Sequence, residues 1–294
     1  TTLIVVGGNP VTALPDRDRT LAALSSLSAL VVIDVLPTET TDHATHVLPA
    51  VDQLERADLT WLLDSFQLAV AAQFTEPVVQ PLYERRPVWW MFAQLAKRLG
   101  LELLPRDTEL NDETEKRLLM QLVDRSADPQ SLMSSASLTI ASGAVYGWVT
   151  ANVLPSGKWR LDALALQEDV RDRLEKPAQR LTSVLLPSRR LKLMNSQFRD
   201  IAPPGGTLEQ PAIYASPSAV AALGHPKLAT VTSPFGMITA TLLADETLRD
   251  DSVVLTHGWG DANVCALTSA ATGIDSLTGM VLQSGVEVEL RAAD

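Results

Sequence analysis

A single cysteine, Cys265, stands among 294 residues. That scarcity excludes a disulfide framework, a CxxC redox pair, and any zinc or iron–sulfur centre ligated by cysteines of this chain alone. A reducing compartment, the cytoplasm, is the expectation. Long apolar runs are missing too: Leu30-Val31-Val32-Ile33 is strand-sized, against the ~18 residues that suggest a membrane helix. No basic stretch leads into an apolar one as in a signal peptide. Basic charge is in deficit, with 24 Lys+Arg against 35 Asp+Glu and a formal charge of −11. A nucleic-acid partner held by bulk charge is therefore excluded, because phosphate neutralisation needs clustered Lys and Arg. Thr1 stands where an initiator Met would, and an apolar run follows with no lead-in, so the natural polypeptide is expected to begin further upstream.

What is present is a hydrophobic fraction of 46%, enough for a real core, on a length that suggests two domains at ~100–200 residues each. Leu3-Ile4-Val5-Val6 reads as a buried parallel strand. It ends in Gly7-Gly8-Asn9-Pro10, after which Asp16-Arg17-Asp18 opens a helix, and Leu30-Val31-Val32-Ile33 follows as a second buried strand. Strand, helix and strand in this order make a βαβ unit, and Val47-Leu48-Pro49 supplies a short third strand. Residues 87–100 predict a helix, with Pro87 at its start, Lys97-Arg98 in its last turn and Gly100 closing it. Residues 111–126 predict another, capped by Asn111 or Thr114, with Leu118, Leu119, Leu122 and Val123 on one face. The pattern then weakens, so 1–126 is read as one domain, 127–180 as a connecting region and 181–294 as a second domain. That last segment alternates strand-like runs at 181–186, 229–232, 237–243, 253–256 and 286–290 with polar turns, plus one short helix at 218–223. A small β-barrel is the expectation.

Ligands of open α/β sheets bind where loops leave the carboxyl ends of parallel strands. Gly7-Gly8-Asn9-Pro10 and Asp34 both occupy such positions. Glycines let a phosphate or nucleoside approach the backbone, Asn offers donor and acceptor, and a carboxylate suits the N1–H and N2–H₂ edge of guanine. A glycine pair after a strand is also an ordinary turn, and Asp34 alone would be an ordinary solvated loop residue. Together they favour a nucleotide. Asp34→Asn is expected to weaken guanine-nucleotide retention, since each charge-assisted bond contributes about 1.5–3 kcal/mol; an unchanged nucleotide content in that variant would remove Asp34 from the site. His43 and His46 share one face of a turn but lack a third converging ligand. His257-Gly258-Trp259-Gly260 ends a strand with a histidine flanked by small residues and a planar ring, open to either a ligand or a structural role. Cys265 lacks a basic neighbourhood and reads as a buried thiol, and Arg189-Arg190 could clamp an anion or be a surface pair.

In order along the chain, Gly7-Gly8-Asn9-Pro10, Asp34, Pro37-Thr38-Glu39-Thr40, His43-Ala44-Thr45-His46-Val47-Leu48-Pro49-Ala50 and Glu55-Arg56 resemble a prokaryotic molybdopterin oxidoreductase. The likeness is to the C-terminal part of the dimethyl-sulfoxide-reductase superfamily, which includes formate dehydrogenases and nitrate and polysulfide reductases. It continues through Ser188-Arg189-Arg190, Asn195-Ser196-Gln197, 217–224, His257-Gly258-Trp259-Gly260-Asp261-Ala262-Asn263 and Asp275-Ser276-Leu277-Thr278-Gly279-Met280. Two departures stand out. The family has Ala-Asp before Val-Leu-Pro where this chain has Ala44-Thr45, and His-Pro with Asp where this chain has Ser216-Pro217 and Ser218.

The resemblance implies a partial Rossmann-like α/β parallel-sheet domain followed by a six-stranded, double-psi β-barrel, the molybdopterin dinucleotide-binding domain. It further implies a molybdenum bis(molybdopterin guanine dinucleotide) cofactor. Gly8, Asn9, Asp34 and Thr38 would meet its nucleotide part, and Arg190, Asn195, Ser196, His257, Trp259 and Asn263 its pterin or phosphates. No catalytic residue or metal ligand is assigned to this chain. Family members with a [4Fe–4S] cluster bind it through an N-terminal Cys motif that is not among these residues, and the metal ligand also comes from the N-terminal half. The chain is thus expected to need that half, or a companion subunit, together with an electron-transfer subunit, for two-electron redox of a small substrate in formate-dehydrogenase-like or reductase-like fashion. Two other classes compete. A non-catalytic scaffold relative, as in respiratory-complex large subunits, would not need polar groups such as Asn9, Asp34 and Asn195, and a plain nucleotide-binding module would leave the barrel unexplained.

Overall fold

The computed structural model describes residues 1–59, 70–122, 129–134, 138–141, 154, 156–159, 163–175, 183–190, 193–202 and 204–293. In chain order the elements are β1 Thr2–Val6, α1 Pro10–Ala13, α2 Arg17–Ser25, β2 Ala29–Asp34, β3 His46–Pro49, β4 Asp58–Leu59, β5 Val70–Ala72, β6 Phe74–Thr75, α3 Val88–Arg98 and α4 Asp112–Met120. They continue with α5 Pro129–Ser134, β7 Leu138–Ala141, α6 Leu164–Glu175, β8 Ser183–Ser188, β9 Ala212–Ala215, α7 Pro217–Ala222, β10 Leu228–Ser233, β11 Gly236–Ala244, β12 Ser252–Thr256 and β13 Val286–Ala292. Two compact units result. One takes Thr1–Val32, Leu36–Val47 and Leu164–Asp294, the other Ile33–Val35 and Leu48–Ala163. β1 thus belongs to the same unit as the barrel, while β2 and β3 are divided between the two units.

β1, β2 and β3 form a three-stranded sheet in that order. The strands are parallel; along β2 and β3 the Thr45 N–H donates to Leu30 O and the Ala50 N–H to Asp34 O, partners that advance in the same direction. Leu30 and Val32 from β2 are buried with Val11 of α1 and Leu24 of α2. The expectation that all of Leu3-Ile4-Val5-Val6 is buried needs correction: Leu3, Ile4 and Val6 are 40%, 39% and 45% exposed. The reason is position, since β1 is an edge strand and only Val5 packs on that cluster.

The barrel closes in the order β10-β11-β9-β12-β8-β13. β9–β11 and β8–β12 pair in parallel, and the other four pairings are antiparallel. Burial alternates along β10 and β11 as a two-residue period requires, and the inward set includes Leu185, Ile213, Val231, Ile238, Val253, Leu255 and Val288. Five strands match the sequence-based runs within a few residues. β9, a four-residue stretch between prolines, was not expected and completes the closure. Ser216 caps α7 by accepting the Ala219 N–H at 3.2 Å, with Pro217 at the first helical position, where its missing N–H is harmless. α6 is a twelve-residue helix inside the region read as connecting.

The segment after β1 is tied to the barrel by hydrogen bonds rather than by sequence proximity. Asn263 Nδ2 donates to Val11 O at 2.8 Å, Cys265 Sγ to Thr12 O at 3.3 Å, and the Asp16 N–H to Cys265 O at 3.2 Å. These bonds set α1 and α2 against a 3-10 turn at Val264–Leu267.

In the second unit β4 pairs with β6 and β5 with β7, both antiparallel. Ala57, Leu59, Phe74 and Leu132 form its core with Leu119 and Met120 of α4 packed on it. Asn111 caps α4 through Oδ1, accepting the Thr114 N–H at 3.1 Å. The expected 111–126 helix ends at Met120, Leu122 is exposed rather than on the buried face, and 123–126 lie outside the described residues. Glu55 Oε1 accepts Arg85 Nη1 at 2.8 Å. Trp89 Nε1 of α3 donates to Glu115 Oε1 of α4 at 3.0 Å. Burial pushes the Glu115 pKa up, outweighing the indole bond, so the neutral acid suits the fold better than the carboxylate. A raised folded pKa adds stability that is full below the unfolded value of 4.5 and lost as pH rises through the folded value. Glu115→Gln should therefore match the parent in Tm well below pH 4.5 and exceed it at pH 7. A thermal melt series in which the variant is less stable at pH 7 would refute this. Among the described residues, no helix is long and apolar enough to cross a membrane.

Candidate cofactor-binding site

Four segments of the first unit converge through side-chain hydrogen bonds. After β1 the chain turns at Gly7, where φ is +58°, and the carbonyl of Asn9 accepts the N–H groups of Thr12 and Ala13 at 3.1 and 3.0 Å to start α1. Asn9 Nδ2 donates to Glu39 Oε2 at 2.8 Å and to Ser196 Oγ at 3.4 Å, while its Oδ1 accepts from Thr40 Oγ1 at 2.7 Å. Glu39 Oε1 takes Arg199 Nη2 at 2.6 Å. Arg199 Nη1 in turn donates to Gly258 O at 2.9 Å. Burial opposes charge on Glu39, but the Asn9 amide, the Glu39 N–H and Arg199 together hold its pKa below the ordinary carboxylate value. Gly258 has φ +92°, and a Cβ there would lie 2.5 Å from Asn195 O; at Gly260 a Cβ would collide with the Glu39 carboxylate. Glycine at these two positions is what lets the turn after β12 lie against the 195–199 segment and Glu39.

Beside this clamp, Arg190 follows β8 with its side chain only 8% exposed. Its guanidinium carbon lies 4.0 Å from the centroid of the Trp259 ring, and Trp259 is itself held by Nε1 donating to Thr256 Oγ1 at 2.8 Å. Arg190 Nη1 pairs with Glu209 at 3.2 Å, while Nη2 is buried with no hydrogen-bond partner among the described residues. A buried donor without an acceptor costs free energy, and a ligand oxygen is what would satisfy it. Burial, reinforced by the charges of Arg189 and Arg190, holds His257 below its ordinary pKa, so its imidazole is neutral at pH 7 and can donate or accept without adding charge. A stacked arginine, a second arginine and a neutral histidine at the paired ends of β8 and β12 form a donor set for an anionic, planar group. These residues fit a pterin carrying a pyrophosphate.

Other expected site residues fall in different settings. Gly8 and Thr38 are half-buried on the loops after β1 and β2, and Thr38 spends its backbone on the Thr41 turn. Asp34 ends β2, and its Oδ1 accepts the Val35 N–H at 2.7 Å. Asn195 is exposed with φ +56°, and Ser196 Oγ meets Asn9. Asn263 is 1% exposed, with Nδ2 on Val11 O and Oδ1 on the Cys265 N–H at 2.9 Å, so its amide braces the fold. His43 and His46 are exposed, and among the described residues no cluster of three metal-ligating side chains exists. Burial pushes the Cys265 thiol up to about 11, which makes it unreactive at neutral pH. Glu39 and Arg199 were missed as site residues. Glu39 lies inside the Thr38-Glu39-Thr40 run that carried the resemblance, but its partner stands far along the chain and no local spacing announces the pair.

Comparison with known proteins places both ends of the chain in known families. Residues 1–98 match the family Molybdopterin oxidoreductase, and residues 184–284 match the Molydopterin dinucleotide binding domain. A dimethyl sulfoxide/trimethylamine N-oxide reductase of Cereibacter sphaeroides is 43% identical over 94 residues, covering 32% of this chain and 11% of the reductase. The namesake of Rhodobacter capsulatus is 39% identical over 95 residues, again 32% of this chain and 11% of that protein. Acetylene hydratase from Pelobacter acetylenicus superposes with a TM-score of 0.72 at 15% identity, covering all of this chain and 44% of the hydratase, a likeness of fold. The matched stretches thus span about a tenth of the curated reductases. With both family regions matched in order along it, the chain belongs to the molybdopterin oxidoreductase family.

Proposed function

We propose that this chain is the cofactor-holding part of a molybdenum oxidoreductase that carries out two-electron reduction of a small oxygenated substrate. The observation that carries the reading is Arg190 Nη2, buried without a partner beside Trp259 and the neutral His257. Arg190, His257 and Trp259 would hold the pterin and pyrophosphate of a molybdopterin guanine dinucleotide, with Arg189 adding positive charge and Asn195 a side-chain amide. The backbone N–H groups of Gly8 and Asn9 would face the nucleotide, since the Asn9 side chain is engaged within the protein. When bound, such a cofactor supplies the metal-centred electron and oxygen-atom chemistry; the chain's own task is to orient it and screen it from water.

The substrate class is drawn from the relatives, whose names are those of sulfoxide and N-oxide reductases, and a reductase is preferred to a formate dehydrogenase for that reason. The parallel sheet supports the reading of a Rossmann-like layer, and the two parallel pairings within the closed barrel support a double-psi barrel. An electron-donating partner protein follows from the reaction class. The test is the molybdenum-to-polypeptide ratio of native material captured through an epitope in this region and measured by elemental mass spectrometry. A ratio near one is expected; a ratio near zero, in cells that load other molybdoenzymes, would overturn the reading in favour of a scaffold.

A further inference from the structure

We propose that Glu39 is a positioning residue that sets the spacing between the two loops gripping the cofactor, an inference that rests on the cofactor reading above. One carboxylate serves both sides. Oε2 holds the Asn9 amide of the loop after β1 at 2.8 Å, and Oε1 holds Arg199 at 2.6 Å, which reaches Gly258 O at 2.9 Å in the turn between His257 and Trp259. The Asn9 side chain has no donor left for an anionic ligand, because both Nδ2 hydrogens serve Glu39 and Ser196, and its Oδ1 accepts from Thr40. Its function is therefore to be held. Gly260 completes the argument: any Cβ there would displace the Glu39 carboxylate, so the turn is shaped around that group. Charge-assisted bonds on both sides make this the stiffest polar link between the two loops.

The arrangement predicts a polarity-swap rescue. Glu39→Gln sets an amino group against either Asn9 Nδ2 or Arg199 Nη2, a donor facing a donor. Turning Asn9 over to compensate would take from the Thr40 O–H the Oδ1 acceptor it now has at 2.7 Å. Asn9→Asp sets two carboxylates against each other. The double variant restores one donor and one acceptor at each contact while moving the negative charge by one residue.

The experiment is guanine released per polypeptide on acid hydrolysis of the purified protein, with Tm read in parallel, for the parent, both single variants, the double variant and Ile213→Val in the barrel interior. Each single variant is expected to lose about tenfold in guanine content, as one charge-assisted bond implies, and the double variant to return to within about twofold of the parent. Ile213→Val should lower Tm and leave the guanine content alone. Single variants with parental guanine content, or a double variant as poor as the singles, would overturn the positioning role while leaving the cofactor reading intact. A guanine content that merely follows Tm across all variants, Ile213→Val included, would overturn it as well. A parent with no guanine nucleotide would overturn the cofactor reading and this inference with it.

Discussion

Gly258→Ala is expected to destabilise the barrel-containing unit by about 3 kcal/mol or more, from two independent causes. A non-glycine residue held at positive φ costs about 1–3 kcal/mol, and the added methyl, 2.5 Å from Asn195 O, costs a further ~1–3 kcal/mol because it meets backbone rather than a yielding side chain. At roughly 2–4 °C per kcal/mol for a chain of this size, Tm should fall by about 6–12 °C. Gly224→Ala is the internal control: its φ of +78° imposes the conformational cost, but nothing lies within 4 Å of the new methyl. Equal Tm losses in the two variants would show that the approach of Asn195 to the turn after β12 is not a tight contact.

Arg190→Met should deplete the cofactor. The substitution keeps an extended side chain on Trp259 but removes the unpartnered Nη2 and its charge. Loss of one or more charge-assisted bonds worth about 1.5–3 kcal/mol corresponds to about a ten- to hundredfold weaker grip. Arg190→Lys should recover only part of it, since an ammonium keeps the charge without the planar fork. The measurement is molybdenum and guanine content of the purified variants beside the parent. Tm without cofactor should not collapse, because Glu209 is half-exposed and water replaces its lost partner. Parental cofactor content in Arg190→Met would sink the assignment of Arg190 as an anion ligand.

On the proposed reading, the charges around the clamp are what let an acidic chain hold an anionic group. Net charge is −11, yet Glu39 is neutralised by Arg199, and the Arg190 guanidinium, paired on one side with the half-exposed Glu209, is buried where its field is less screened. Local arrangement, not the overall balance, decides what the site attracts.

How far the sequence could be read differs from one element to the next. Local signals sufficed for β2 and for four barrel strands seen nearly whole, whose apolar runs or two-residue alternation are complete within a few residues, and for the starts of α4 and α7, where Asn111, one of two cap candidates, and Pro217 act within one turn. The ordered motifs from Gly7 to Met280 were enough to place the chain in its family and to single out Arg190, His257 and Trp259. Other features depend on partners distant in sequence, and only the tertiary structure decided them. β1 is as apolar as a buried strand but lies at a sheet edge, so its exposure follows from what stands beside it. β9 is too short to declare itself and is specified by its pairings with β11 and β12. Glu39 and Arg199 are ordinary charged residues until barrel closure brings them within 2.6 Å. The sequence by itself determined the family and most strands, and named Arg190, His257 and Trp259 as candidates, because periodicity, caps and motif order are local properties. Tertiary packing alone decided which carboxylate holds the loops, which asparagine braces the fold and which guanidinium nitrogen is left for a ligand, because burial and hydrogen-bond partnership are properties of the closed fold.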